Sequence, residues 1–167
     1  IHYNNCTVTD SKIASIFDYL YEQYTAERMA MLERLPQISE YASENITYHL
    51  INDILTSDNR FSSLKVLCRI PLRQIIKDTS LMSQEELAYA SNYNTHVDFL
   101  VTNSISKKPV LAIETDGYSF HNDATEQHQR DKMKDHIFAL YSLPLLRLST
   151  KGSGERERII KQLNNCV

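Results

Sequence analysis

Cysteine is scarce in this chain: Cys6, Cys68 and Cys166 are all that its 167 residues hold. They are far apart and odd in number, and no CxxC pair exists. That excludes a zinc cluster or a disulfide framework and reads as free thiols in a cytoplasmic protein. No apolar run approaches the roughly 18 residues that a membrane span needs, and there is no signal-peptide pattern. Without a secretory context the two sequons, Asn5-Cys6-Thr7 and Asn45-Ile46-Thr47, are chance matches. A basic excess is also missing. The net charge is -3, which argues against a domain that grips nucleic acid by charge alone. There is no internal repeat and no GxxxxGK phosphate loop. The chain begins at Ile1 without an initiator Met, in structured-looking sequence, and reads as part of something longer.

What is present is an ordinary supply of core-forming residues, 42% hydrophobic against 23% charged, enough for one domain with an appended segment. The charge is uneven. Residues 1–60 carry nine acidic and four basic side chains, whereas residues 128–167 carry eight basic and four acidic ones. The basic C-terminal third leaves room for local phosphate contacts.

Apolar spacing predicts a first helix from a cap at Asp10 to about Leu35, with Ile13, Ile16, Phe17, Leu20, Tyr21 and Tyr24 recurring at helical intervals and Pro36 closing it. A second helix, "SENITYHLINDIL", has Ser43 as its candidate cap. "LKVLCRI" alternates, with Leu64, Val66, Cys68 and Ile70 on one side of a strand. "SQEE" from Ser83 to Glu86 has the form of a capping box and starts a short helix. "HVDFLVT" and "PVLAIET" read as a hairpin, residues 123–141 as a helix, "PLLRLS" as a strand and 155–164 as a closing helix. The helical face of 123–141 is Met133, Ile137, Leu140 and Tyr141. This order implies an α/β fold with a mixed sheet.

Within that hairpin the strand ending "LAIETDG" carries acids. Side chains alternate faces along a strand, so Val110, Ala112, Glu114 and Asp116 share one face. A hairpin symmetric about Ser106 sets Asp98 opposite Glu114. Opposed like charges destabilise a strand pair, and unpaired buried carboxylates take up protons. A divalent cation between the acids, neutralising basic side chains, or solvation of the strand ends would each relieve the repulsion. Convergence of Asp98, Glu114 and Asp116 between apolar neighbours favours the cation, and hard oxygen ligands of this kind suit Mg²⁺ or Mn²⁺.

The sequence of "VDF", "AIETDGYSFH", "QHQRDKMKDHI" and "PLLRLS" resembles the restriction-endonuclease-like, or PD-(D/E)XK, nuclease superfamily. It is most similar to the Vsr-like nuclease domain found at the C-terminus of bacterial superfamily I helicases. The resemblance spans about Ser43 to Ile160. It implies a restriction-endonuclease-like core with a central mixed sheet of four to five strands flanked by helices over residues 41–167. Residues 1–40 would be a helical extension or a linker to an upstream domain. Carried across, Asp98 and Glu114 match metal ligands, and Glu44 matches a helical glutamate whose plainer reading is a solvated first-turn acid.

The departure lies at Asp116, which stands where the family has a lysine. Gln127, Asp131 and Lys134 fall on one helix face, and Lys134 is the candidate for the missing positive charge, set against a plain surface lysine. His121, beyond Gly117 in an ExDG-x-x-x-H pattern, is a candidate general acid or base or a phosphate contact. Glu44, Arg130, Asp131, Lys151 and Ser153 are candidate substrate contacts, the last two from the turn "STKGSGE".

These readings converge on Mg²⁺- or Mn²⁺-dependent hydrolysis of DNA, with Asp98, Glu114 and Asp116 holding the metal. The resemblance implies an upstream helicase-like ATPase as partner, with no membrane role. A catalytically silent nucleic-acid-binding or docking module that keeps the fold is the alternative, favoured by the absent strand lysine.

Overall fold

The helical and alternating patterns are realised in a computed structural model that describes residues 2–3, 6–7, 11–34, 36–116, 124–149 and 154–166. The chain divides into two compact units, Ile1–Gln37 and Ile38–Val167. The first holds two short antiparallel strands, β1 (His2–Tyr3) and β2 (Cys6–Thr7), and the helix α1 (Ser11–Arg34). The apolar stripe of α1 is exposed at Ile13, Ile16, Leu20, Tyr21 and Tyr24. No helix among the described residues is long and apolar enough to cross a membrane.

The second unit is an α/β layer structure. Its elements are α2 (Ala42–Ser57), β3 (Leu64–Pro71), α3 (Leu72–Ile75), α4 (Gln84–Ser91), β4 (His96–Asn103), β5 (Pro109–Asp116), α5 (Ala124–Leu140), β6 (Leu145–Ser149) and α6 (Glu155–Asn164). The four strands lie in the order β3-β4-β5-β6. The first two pairings are antiparallel and β5–β6 is parallel, so the sheet is mixed. Parallel neighbours need a long crossover, and α5 provides it. On one face α2 and α6 pack Ile51, Ile54, Leu55, Ile159 and Leu163 against Phe99, Val101, Leu111, Ile113 and Leu148. On the other face Leu72, Ile75, Ala90, Ile137 and Phe138 from the remaining helices cover Leu100 and Ala112.

Three local expectations change. Ser43 does not cap α2: it lies within the helix, Tyr41 precedes it, and no side chain caps the end. The side chain of Asn45 organises the approach instead. Its Oδ1 accepts from the Ile38 and Ser39 N–H groups at 2.8 and 3.1 Å. Val110 does not share the face of Ala112. The pairing shifts between Val101 and Thr102, leaving Val110 as the extra residue of a bulge, and it packs with the α2 layer.

The third change is larger. Leu64, Val66 and Cys68 belong to the α2 layer as the alternation predicts, but Ile70 packs in the opposite layer. Arg69 between them has φ 51°, the left-handed region that non-glycine residues seldom occupy. One such residue inverts the phase of the strand. The partner strand follows, because Ile70 pairs with Val97, and Val97 lies in the α5 layer while Phe99 lies in the α2 layer. Asp98 therefore sits at the inversion.

Other expectations hold. Ser83 and Glu86 form the capping box. Phe99 pairs with Ile113, Leu100 with Ala112 and Val101 with Leu111, the symmetry about Ser106 that the sequence implies, but the pairing ends there, one step short of Asp98 and Glu114. Cys68 and Cys166 are half-buried free thiols. Burial pushes both up, and the charge of Glu44 adds to the effect on Cys68.

Phe99 is wholly buried at the centre of the α2 layer. Phe99→Ala is expected to cost about 3–5 kcal/mol through lost burial and a residual cavity. Urea unfolding checks this, with a lowered midpoint and an unchanged slope.

Candidate functional site

Beyond the Phe99–Ile113 pair, β4 and β5 part. The Thr115 N–H would meet a main-chain carbonyl in a continued ladder. Here it donates to Oδ2 of Asp98 at 2.8 Å, and the Thr115 hydroxyl donates to the same oxygen at 2.8 Å. The phase inversion makes this possible, since a residue between opposite-facing neighbours can turn its side chain toward the adjoining strand. Asp98 thus fills the opening between the strands.

Glu114 is 9% exposed. Lys134, equally buried, reaches it from α5, with Nζ 2.8 Å from Oε1 and 3.0 Å from Oε2. The same ammonium donates to the main-chain carbonyl of His96 at 2.9 Å. Its three hydrogens thereby meet three acceptors. Lys134 is not a surface lysine. Arg147, paired in register with Glu114 across the parallel ladder, places Nη1 3.8 Å from Oε2. Its guanidinium also meets Asp131 at 3.3 Å and Asp135 at 3.0 Å.

Burial is the largest influence on Glu114 and pushes its carboxyl above the usual range. The charge and hydrogen bonds of Lys134 pull it back, Asp98 pushes it up further, and the balance remains upward. Tyr89 on α4 feels the same site. Burial, then the negative charges of Glu114 and Asp131, push its phenol up to about 12, so it stays protonated at neutral pH.

Asp98, Glu114 and Lys134 are therefore brought together, with Asp131 joined through Arg147. Arg130 is exposed on α5, and its charge acts on Tyr89. Glu44 stands on the α2 side, where its carboxylate lies 3.7 Å from Arg69, the residue at the register position opposite Asp98. Asp116 ends β5, in register with Ser149, and Gln127 lies on α5, but their side chains fall outside the description. His121, Lys151 and Ser153 lie outside the described residues. Among the described residues no three His, Cys, Asp or Glu side chains gather to hold a metal. Asp98 and Glu114 are the described carboxylates, and basic neutralisation of Glu114 by Lys134 and Arg147 is the relief that the sequence left open.

Sequence reasoning passed over Arg147, Thr115, Arg69 and Tyr89. Arg147 had a signal: an arginine among the leucines of "PLLRLS" needs an acid nearby. A left-handed residue other than glycine has no comparable signature, so Arg69 was not readable. The chain belongs to the family described as "Protein of unknown function (DUF2726)", which matches residues 40–166. No curated protein and no solved structure matches the chain.

Removing one partner of a buried ion pair strands the other charge. Lys134→Met is expected to cost about 3–5 kcal/mol at pH 7 in metal-free buffer. The folded carboxyl of Glu114 then holds its proton to higher pH than the unfolded one. The folded state binds more protons in that window, and stability rises as pH falls through it. Urea unfolding of Lys134→Met at pH 7.5 and pH 5 should show the loss shrinking at the lower pH. Adding Glu114→Gln should recover most of it.

Proposed function

We propose that this member of the DUF2726 family is a metal-dependent nuclease with a restriction-endonuclease-like core, hydrolysing phosphodiester bonds in DNA. The observation that carries the reading is the meeting of Asp98, Glu114 and Lys134 where the β4–β5 hairpin opens. The element order α2-β3-β4-β5-α5-β6 supports it. So does the source of the cation, because α5 brings a lysine to the glutamate that the strand position of Asp116 fails to supply.

The donor chemistry fits Mg²⁺ or Mn²⁺. Asp98 and Glu114 offer adjacent hard oxygens, and Asp98 already disfavours the charge on Glu114. Asp98 and Glu114 would hold the ion, with Asp116 the next acid along β5. When bound, such an ion lowers the pKa of a water and offsets charge on phosphoryl oxygens. The chain's own groups do the rest. Thr115 fixes the Asp98 carboxylate. The His96 carbonyl anchors Lys134 beside Glu114, where the ammonium keeps that carboxylate ionised and can hold a water or a phosphoryl oxygen. Arg147 adds positive potential from β6. An attached helicase-like motor would deliver a strand at high effective concentration.

One observation favours a catalytically silent binding module. Lys134 and Arg147 offset part of the burial cost of Glu114 with the chain's own charges, as a site without metal would need.

The deciding experiment is cleavage of supercoiled and single-stranded DNA in Mg²⁺ or Mn²⁺, with EDTA as control. The parent should cut only with metal. Asp98→Asn and Glu114→Gln should fall below detection, and Lys134→Ala should slow by roughly 10²–10³-fold, as for loss of a preorganised donor. A folded parent that cuts nothing under these conditions would exclude the nuclease reading and leave the silent module.

Binding has its own signature. Millimolar Mn²⁺ should raise the melting temperature of the parent by mass action, about 2.7 kcal/mol at a hundredfold excess over Kd. The rise should vanish in Asp98→Asn, and equivalent monovalent salt should not reproduce it.

A further inference from the structure

Beside the hairpin opening lies a cleft of about 380 Å³ lined by Arg69, Pro71, Tyr93, Asn94 and His96. We infer that this cleft is a stacking platform that receives an unpaired nucleotide of a single nucleic-acid strand, with a base on Tyr93 and the flanking phosphates on Arg69 and Arg73. The inference deepens the nuclease reading by naming the form of the substrate, and it rests on that reading only for the fate of the bound strand.

Tyr93 is 76% exposed. The guanidinium of Arg73 lies over its ring, 3.4 Å from the centroid. That contact occupies one face of the ring, and a base can take the other. Base–aromatic stacking tolerates any sequence, and arginine adds to it.

The backbone that carries Tyr93 is a tight turn. The Thr95 N–H donates to the Asn92 carbonyl at 3.1 Å. The Asn94 N–H donates to Oδ1 of Asn92 at 2.9 Å, and the Leu72 N–H donates to the Thr95 carbonyl at 2.9 Å. A platform presented on an ordered turn loses little freedom when a base stacks on it.

The polar lining has the character of a strand site. Among the described residues Arg69 is the charged member of the lining, and none of them is a carboxylate. Its guanidinium is half-exposed and only loosely paired with Glu44, at 3.7 Å, so a phosphate can share it. The left-handed backbone of Arg69 is what turns this side chain out of the strand's alternation. His96 Nδ1 lies 2.8 Å from the Asn94 carbonyl and must donate to it, which leaves Nε2 of the neutral ring as an acceptor for a base N–H.

Position ties the cleft to the site. His96 lines the cleft, and its carbonyl receives Lys134. Arg69 occupies the register position opposite Asp98. A strand stacked on Tyr93 with a phosphate on Arg69 would then run toward the β4–β5 opening, because His96 both lines the cleft and anchors Lys134 beside Glu114. Paired bases in a duplex are stacked on one another and cannot use the platform.

The test measures binding of the full chain to fluorescent oligo(dT), oligo(U) and a duplex of equal length in EDTA, where no cleavage can occur. The parent should prefer single strands to the duplex, and the tighter of oligo(dT) and oligo(U) identifies the sugar of the natural strand. Tyr93→Ala should weaken single-strand binding roughly 5- to 100-fold, as expected for one stacked base. Tyr93→Phe should keep the affinity. Arg69→Gln should reduce the salt slope by about 0.7, the value for one phosphate contact on a single strand.

Ultraviolet crosslinking of an iodouracil oligonucleotide to the parent needs no variant and should map to Tyr93. Crosslinks elsewhere, unchanged affinity in a folded Tyr93→Ala, or a preference for duplex would each overturn the platform. Cleavage by the parent together with any of these would leave the nuclease reading intact. Tyr93-dependent binding without cleavage in any metal would leave the platform and remove the nuclease.

Discussion

The charge on Glu114 is the constraint around which the second unit is arranged. A carboxylate 9% exposed in a sheet cannot stay ionised without a cation close by. α5 carries Lys134 to it, and β6 carries Arg147 to its other side. Both providers belong to the β5-α5-β6 crossover, so the parallel pairing of β5 with β6 and the packing of α5 are coupled to one acid. Asp131 and Asp135 hold the guanidinium of Arg147 and spread the compensation over α5. Burial works against the charge of Arg147, yet these carboxylates and Glu114 more than offset it and keep its pKa above the ordinary arginine value.

A second constraint is topological. An uninterrupted alternation on β3 and β4 would give every residue one face or the other, and Asp98 would point into the α5 layer. The left-handed backbone at Arg69 breaks the alternation, and the break passes through the Ile70–Val97 pair into β4. Asp98 is released to bind Thr115 across the strand gap. The same distortion sends Arg69 toward the cleft and Glu44. Strained backbone persists where the surroundings over-determine it, and here one residue of strain serves an acid, a cation and the opening between strands.

Much of this was legible in the sequence, and the limits have physical causes. Apolar periodicity revealed the order of helices and strands because burial of one face is what makes each element form. The capping box at Ser83 and Glu86 was readable because its geometry is local. Hairpin symmetry about Ser106 was readable and holds through three pairs, but it fails near the turn, where Val110 bulges, and the pairing ends before Asp98 and Glu114. The faces of Ile70 and Val110 were not readable, since period-two reasoning assumes an unbroken pleat. The partner of Glu114 was half readable. The helix carrying Lys134 was evident, but that its lysine turns inward depends on how α5 docks, which no local pattern encodes.

The compensation of Glu114 bears on how a metal-dependent site can also be stable without metal. Lys134 and Arg147 offset part of the cost of burying the acid with the chain's own charges. The Asp98 carboxylate is different. Its described partners, the Thr115 N–H and hydroxyl, are neutral donors to a single oxygen, and they leave its negative charge uncancelled. A cation arriving beside Glu114 would meet one acid partly balanced and another whose described partners are neutral donors. The asymmetry gives the two residues separate duties. Under the proposed function Asp98 would attract the ion, and the Glu114–Lys134 pair would set charge and hydrogen bonding beside it. A lysine on a helix can serve this purpose as well as one on the strand, because only the position of its ammonium relative to the glutamate enters the electrostatics. On this reading the strand position of Asp116 need not carry a lysine, because the helix layer supplies the ammonium that meets Glu114.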